Sequence, residues 1–302
     1  MASAVYGAPP LALVDIPEDA RQVSPLVPGA SALEAAPDAS LDRLVVAAPP
    51  GAVERRYVLA QALRALKVGG ELIAAAPKDK GGMRLRKELQ TFGCDVTEQA
   101  LRHQRLCRCV RPAAPTGLTE AIAAGGPQSP PRLGLSSQPG VFSWDRPDPG
   151  TALLAQRLDG LSGAGADFGC GVGVLALALL ASPKVTSLAL VDLDRRAIEA
   201  ARRNIVDPRA SFLQADLREP APSLSNLDFV VMNPPFHEAG EEDRGLGQLF
   251  IRRAAACLRR GGLLRLVANI GLPYEATLGE AFNQLRRPEQ SGGYKVLEGR
   301  RT

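Results

Sequence analysis

The feature that most constrains this chain is an apolar run that turns through three closely spaced glycines into an apolar helix pattern. The run is Ala166 to Phe168, the turn is Gly169-Cys170-Gly171-Val172-Gly173, and Val174 to Leu180 follows. A Gly-rich turn between strand and helix lets a ligand approach the backbone closely, because no Cβ stands in its way. The same strand-then-helix alternation continues downstream. Strand Leu188–Val191 leads to helix Arg196–Asn204, and strand Phe212–Gln214 follows. Strand Phe229–Met232 leads to helix Leu246–Arg259 and then to strand Gly262–Ala268. This alternation predicts an α/β fold with a doubly wound, mainly parallel sheet and helices on both faces. Ligands of such sheets bind outside the carboxyl ends of the strands. Asp167, Asp192, Asp216 and Asn233 all fall at such ends.

The glycine spacing narrows the ligand. A dinucleotide fingerprint places its third glycine one position later, where this chain has Val174. Gly169, Gly171 and Gly173 with Asp167 just upstream fit S-adenosylmethionine, which carries an amino-acid end and an adenosine but no phosphate. Asp167 is expected to meet the cationic amine, and Asp192 the two ribose hydroxyls. Asp194 competes for the ribose, although its position before Arg195 also suits a helix N-cap. Asp216, at the end of the third strand, is placed to meet the adenine amino group; a solvated surface carboxylate reads equally well there. A degenerate nucleotide loop or a plain tight turn stays open at this stage.

Asn233-Pro234-Pro235-Phe236 ends the apolar run Leu227 to Met232. Two prolines stiffen the backbone and remove N–H donors. Carbonyls and one carboxamide are left to face a ligand, and the Phe236 ring can stack on a flat one. A planar amine, such as the exocyclic NH2 of a base, suits this site. A proline-rich loop after a strand is the bland alternative.

A weaker copy of the same unit lies upstream. Leu44-Val45-Val46-Ala47-Ala48-Pro49-Pro50-Gly51 parallels Val230 to Phe236, and Leu66 to Ile73 parallels Leu258 to Arg265. A helix pattern, Arg55 to Leu66, joins them. Ala48 stands where Asn233 does, Gly51 where Phe236 does, and no Gly-rich loop precedes. The first copy keeps the scaffold and lacks the chemistry. The expected organisation is a first domain over 1–115, a linker over 116–138 rich in Gly, Pro, Ser and Gln, and a catalytic domain over 139–302. The first domain carries Lys78, Lys80, Arg84, Arg86 and Lys87, then Arg102, Arg105, Arg108 and Arg111. Such a stretch attracts phosphates, or is simply a solvated face.

Composition sets limits. A net charge of +4 is compatible with an RNA partner. The 5 cysteines have no metal-ligand spacing and there are only 2 histidines, so no metal site is expected and a reducing compartment is. No signal peptide is read at the start, and no apolar run reaches membrane-spanning length. A cytoplasmic protein is the expectation.

Asp167-Phe-Gly-Cys-Gly-Val-Gly173, Asn233-Pro-Pro-Phe-His237, Val267-Ala-Asn269 and Leu272-Pro-Tyr274, with Gly140-Val-Phe-Ser143 ahead of them, resemble the class I S-adenosylmethionine-dependent ribosomal RNA guanine-N2 methyltransferases. The small-subunit "C" type is the nearest, over roughly residues 138 to 298. The resemblance implies a Rossmann-like class I methyltransferase domain preceded by a degenerate methyltransferase-like domain. It implies a catalytic Asn233-Pro234-Pro235-Phe236 motif, S-adenosylmethionine as cofactor, and 16S ribosomal RNA or the small subunit as partner. Residues 145–149 are richer in proline than the family pattern. The rival readings are adenine-N6 methylation of RNA or DNA, protein-glutamine methylation, and a non-catalytic RNA-binding assembly factor.

Overall fold

The computed structural model describes residues 1–220, 224–235, 237–238, 241–242 and 244–302, with backbone only for 237, 238, 241, 242 and 244. The chain divides into two compact units, one of residues 1–127 with 138–140 and one of residues 128–137 with 141–302.

The first unit runs β1 (Ser3–Tyr6), β2 (Arg21–Gln22), β3 (Leu41–Ala47), α1 (Ala52–Ala65), β4 (Leu66–Pro77), α2 (Met83–Thr91), β5 (Thr97–Leu101), β6 (Gln104–Val110) and α3 (Leu118–Gly125). Its sheet has the order β2-β1-β3-β4-β6-β5. The helix α3 lies inside the stretch expected as a linker. It packs on α1 so closely that a Cβ on Gly125 would fall 2.3 Å from the Tyr57 Cβ. Glycine there serves packing, not flexibility.

The second unit begins with α4 (Pro149–Ala155) and continues β7 (Gly163–Phe168), α5 (Val174–Leu180), β8 (Val185–Asp192), α6 (Arg195–Asn204), β9 (Ala210–Gln214) and β10 (Leu227–Met232). A small antiparallel ribbon follows, β11 (His237–Glu238) with β12 (Glu241–Glu242). Then come α7 (Arg244–Cys257), β13 (Leu258–Asn269), α8 (Tyr274–Ala281), β14 (Phe282–Ser291) and β15 (Tyr294–Arg301). The seven strands are ordered β14-β15-β13-β10-β7-β8-β9. β9, β8, β7, β10 and β13 run parallel, whereas β15 and β14 are antiparallel. Alternation along β10 shows why helices cover both faces. Phe229 and Val231 enter the core under α4, α5 and α6, and Val230 and Met232 enter the core under α7 and α8. A strand buried on both sides reads as an unbroken apolar run.

The two sheets share one plan. Removing β9 from the second leaves the strand directions and order of the first. The turn after the helix repeats in detail. Gly69 and Gly261 both adopt positive φ, at 77° and 74°. A Cβ on Gly70 would fall 2.9 Å from the Lys67 carbonyl oxygen, and one on Gly262 2.9 Å from that of Arg259. In both copies the strand starts where the helix was expected to end, at Leu66 and at Leu258.

Candidate active site

The ends of β7 and β10 meet. Met232 is registered against Phe168 and Val231 against Asp167, so Asn233 and Gly169 leave the sheet side by side. A Cβ on Gly169 would stand 3.9 Å from the Asn233 carbonyl oxygen. Gly169, Gly171 and Asn233 line one cleft, together with Cys170, Val172, Phe142, Arg146, Asp148 and Thr151. Pro234 and Pro235 follow Asn233 and are not among the residues lining the cleft. Phe236, the fourth residue of the motif, lies outside the described residues.

The loop is shaped by its glycines. Gly171 has φ 52° with no atom within 4 Å of a Cβ, so its surroundings are open to a ligand. Gly173 has φ 92° and serves packing instead, since a Cβ would fall 2.6 Å from Ile205 Cδ1. It does not line the cleft.

Asp167 is 1% exposed, and among the described residues both of its carboxylate oxygens lack a hydrogen-bond partner. Burial, and then the nearby charge of Asp192, push its carboxyl up to about 8. A buried carboxyl with nothing to bond is costly, and it fits a ligand that brings a cation. Asp192 is held differently. Its Oδ2 accepts from the Gly171 N–H at 2.8 Å and its Oδ1 from the Asp194 N–H at 2.9 Å. Burial lifts it to about 6 against those bonds and a further backbone bond from Leu193. Asp192 thus fixes the glycine loop. Asp194 is occupied as the N-cap of α6, accepting from the Arg196 N–H at 2.9 Å and pairing with its guanidinium.

Asp216 follows the end of β9, as expected, and its side chain is engaged locally. It turns to Arg218, whose Nε and Nη2 donate to its carboxylate at 2.9 and 2.7 Å, and this pairing holds its carboxyl below the ordinary range. A donor two residues away is closer at hand than the cleft. Tyr274 is fully buried in the core under α7, with Gly247 making room for its ring, so it is no cleft wall. Asn269 does not line the cleft either.

Two functional neighbours were missed in the sequence. The Asn233 Nδ2 donates to Asp148 Oδ2 and to Thr151 Oγ1, both at 2.9 Å. Asp148 Oδ2 also caps α4, accepting from the Thr151 N–H at 2.7 Å and its hydroxyl at 3.0 Å. The carboxamide NH2 is therefore fully used, and the Asn233 Oδ1 is the part left for a ligand. The only local trace is Asp148-Pro149, an N-cap before a proline.

The first unit shows what this rim becomes without Asn233. There the Arg55 side chain, 1% exposed, donates from Nη1 to the carbonyls of Pro49 and Pro50 at 3.1 and 2.8 Å. Its Nε and Nη2 bond Glu88 at 2.7 and 2.8 Å. The turn at Gly81 closes over the guanidinium. The carbonyls that follow the strand are thus satisfied from within the chain. Of the basic residues noted in this unit, Arg105 and Arg108 pair with Glu98 and Glu71. Lys78, Arg84, Arg86, Lys87 and Arg102 are exposed.

Residues 132–298 match the model of the methyltransferase small domain family. A ribosomal RNA small subunit methyltransferase C of Pseudomonas putida is 31% identical over 274 residues, 88% of this chain and 81% of that protein. The Pseudomonas aeruginosa protein of the same name is 33% identical over 289 residues, 93% of this chain and 86% of that protein. The chain belongs to the ribosomal RNA small subunit methyltransferase C family. Its fold is also that of the 16S rRNA N2 G1207 methyltransferase of T. thermophilus, solved with AdoMet and guanosine. That match has a TM-score of 0.80 at 26% identity and covers 100% of this chain and 88% of the other. Among the described residues no cluster of His, Cys, Asp and Glu could hold a metal, and no helix is long and apolar enough to cross a membrane.

Proposed function

We propose that this protein transfers a methyl group from S-adenosylmethionine to the exocyclic N2 amine of a guanine in small-subunit ribosomal RNA. One observation supports the reading: Gly169 and the clamped Asn233 leave adjacent strands into one cleft, with the buried Asp167, which has no hydrogen-bond partner among the described residues, two residues behind Gly169 at the end of β7. Bound S-adenosylmethionine supplies a strongly electrophilic methyl on its sulfonium. Asp167 would hold its cationic amine, Gly169 and Gly171 would let it lie against the backbone, and Asp192 would accept from the ribose. Asp216 would reach the adenine amine on exchanging its Arg218 bond for it. Gly173 shapes the loop from behind.

The chain's own part in the transfer is to position a poor nucleophile. An aromatic amine delocalises its lone pair into the ring. The Asn233 Oδ1 and the Pro234 carbonyl accept its two hydrogens and turn that lone pair out of the ring plane. The same acceptors stabilise positive charge growing on nitrogen. Pro235 stiffens the turn, and Phe236 stacks on the base, which must leave its helix to enter the cleft. Residues 1–115 act as a degenerate copy that has lost this site, with residues 139–302 carrying the chemistry. A ribosomal RNA substrate supports a cytoplasmic protein whose partner is that RNA or the small subunit. Mapping modified nucleosides in small-subunit RNA from cells with and without the gene tests the reading. One N2-methylguanine should disappear with the gene, and an N6-methyladenine disappearing instead would refute it.

A further inference from the structure

We propose that Asp148 selects guanine over adenine at the target position, an inference that rests on the base-amine reading of the cleft. Guanine and adenine both offer a planar exocyclic amine, so Asn233 alone cannot tell them apart. They differ at the ring nitrogen next to that amine. Guanine N1 carries a hydrogen and donates, whereas adenine N1 carries a lone pair and accepts.

Asp148 lines the cleft beside Asn233, and its two oxygens have separate tasks. Oδ2 is saturated by three donors, the Thr151 N–H, the Thr151 hydroxyl and the Asn233 Nδ2. Those donors fix the carboxylate in place. Oδ1 takes no hydrogen bond among the described residues. A carboxylate oxygen can only accept. With the amine held by Asn233, a guanine places its N1–H next to that oxygen and gains a charge-assisted bond. Adenine places a lone pair there and leaves both acceptors facing each other. A site that expects a donor rejects an analogue lacking it far more strongly than it rejects a change of shape.

Asp148→Asn tests this with little disturbance. Asparagine caps a helix as well as aspartate does. The three donors at Oδ2 demand an acceptor, so the new amide oxygen takes that place. Its NH2 then stands where Oδ1 stood and faces the base as a donor. The substrate is the small-subunit RNA fragment carrying the mapped guanine, and the same fragment with 2-aminopurine in its place. That analogue keeps the amine but has a lone pair at N1. The wild type should prefer guanine by about 100-fold or more in kcat/KM, and Asp148→Asn should narrow the preference below about 10-fold. Melting temperature and S-adenosylmethionine affinity should stay unchanged. Equal wild-type rates on the two fragments would overturn the proposal without any variant. So would an equal fall on both in Asp148→Asn. A wild type that methylates adenine and ignores guanine would instead overturn the function proposed above.

Discussion

Asp167→Asn should stabilise the ligand-free protein, and the gain should grow with pH. The buried carboxyl titrates at about 8, against an ordinary value of 3.8. Between those values the folded chain holds a proton that the unfolded chain has released. The stability tied to that proton is complete at low pH and is lost as pH rises through 8. The slope is about 1.4 kcal/mol per pH unit, so near pH 7.5 the wild type gives up about 5 kcal/mol at this one residue. An asparagine amide has no such slope. It still lacks partners in the apo fold, which costs about 1–3 kcal/mol at every pH and cancels from the comparison. Between pH 6 and pH 8 the variant's advantage should therefore increase by roughly 2–3 kcal/mol. For a unit of this size that is a melting-temperature gap widening by roughly 5–10 °C. Trp144, the 1 tryptophan of the chain, lies in the second unit and reports its unfolding by fluorescence. Saturating S-adenosylmethionine should restore the wild type at pH 8 and leave the variant unmoved. A gap that stays constant with pH would show that Asp167 is ionised and satisfied in the empty fold, and the reasoning would fail.

Asn233→Ala should lower methyl transfer by about 100-fold or more while calorimetry finds cofactor affinity nearly unchanged; substantial surviving activity would make the motif mere scaffold. Arg55→Ala leaves Glu88 buried without its partner and should cost about 3–5 kcal/mol in urea unfolding followed by circular dichroism, most of it recovered in the Arg55→Met, Glu88→Leu pair. A loss under 1 kcal/mol, near what an exposed pair is worth, would mean the guanidinium does not fill the site. Charge reversal at Arg84, Arg86 and Lys87 should weaken RNA binding in low salt and flatten its salt dependence, and an unaltered salt titration would remove these residues from the RNA surface.

What could be read in the sequence followed from how local its causes are. The segment β7–α5–β8–α6 was legible because each piece carries its own signal: an unbroken apolar run, glycines at the turn, and Asp194 before a helix. The outer strands were not. Every residue of β5 is exposed, and β14 is polar along most of its length with Pro288 inside it. Edge strands owe their form to one neighbour and need no apolar pattern. The bonds that tie Asn233 to Asp148 and Thr151 span 85 and 82 residues, and no spacing rule reaches that far. At Asp216 the sequence left two roles open, and its carboxylate takes Arg218, two residues on, as its partner.

The two units together separate what builds this fold from what makes it act. Both copies keep the strand order, the Pro-Pro turn after β3 or β10 and the glycine pair near the start of β4 or β13. None of these suffices for chemistry. In the first copy the acceptors after the strand face a planar, N–H-rich guanidinium from the same chain, a group much like the amine of a base. In the second the corresponding position is Asn233, its NH2 tied back and its oxygen left over. The same rim is thus closed when the chain supplies its own donor and open when it supplies another acceptor. Losing Asn233 exposes nothing new to water in the first copy, because Arg55 and Glu88 fill the space. An arginine reaching two consecutive proline carbonyls after a strand, with a buried glutamate behind it, thus keeps the first rim packed without a ligand, where the second rim opens on a cleft.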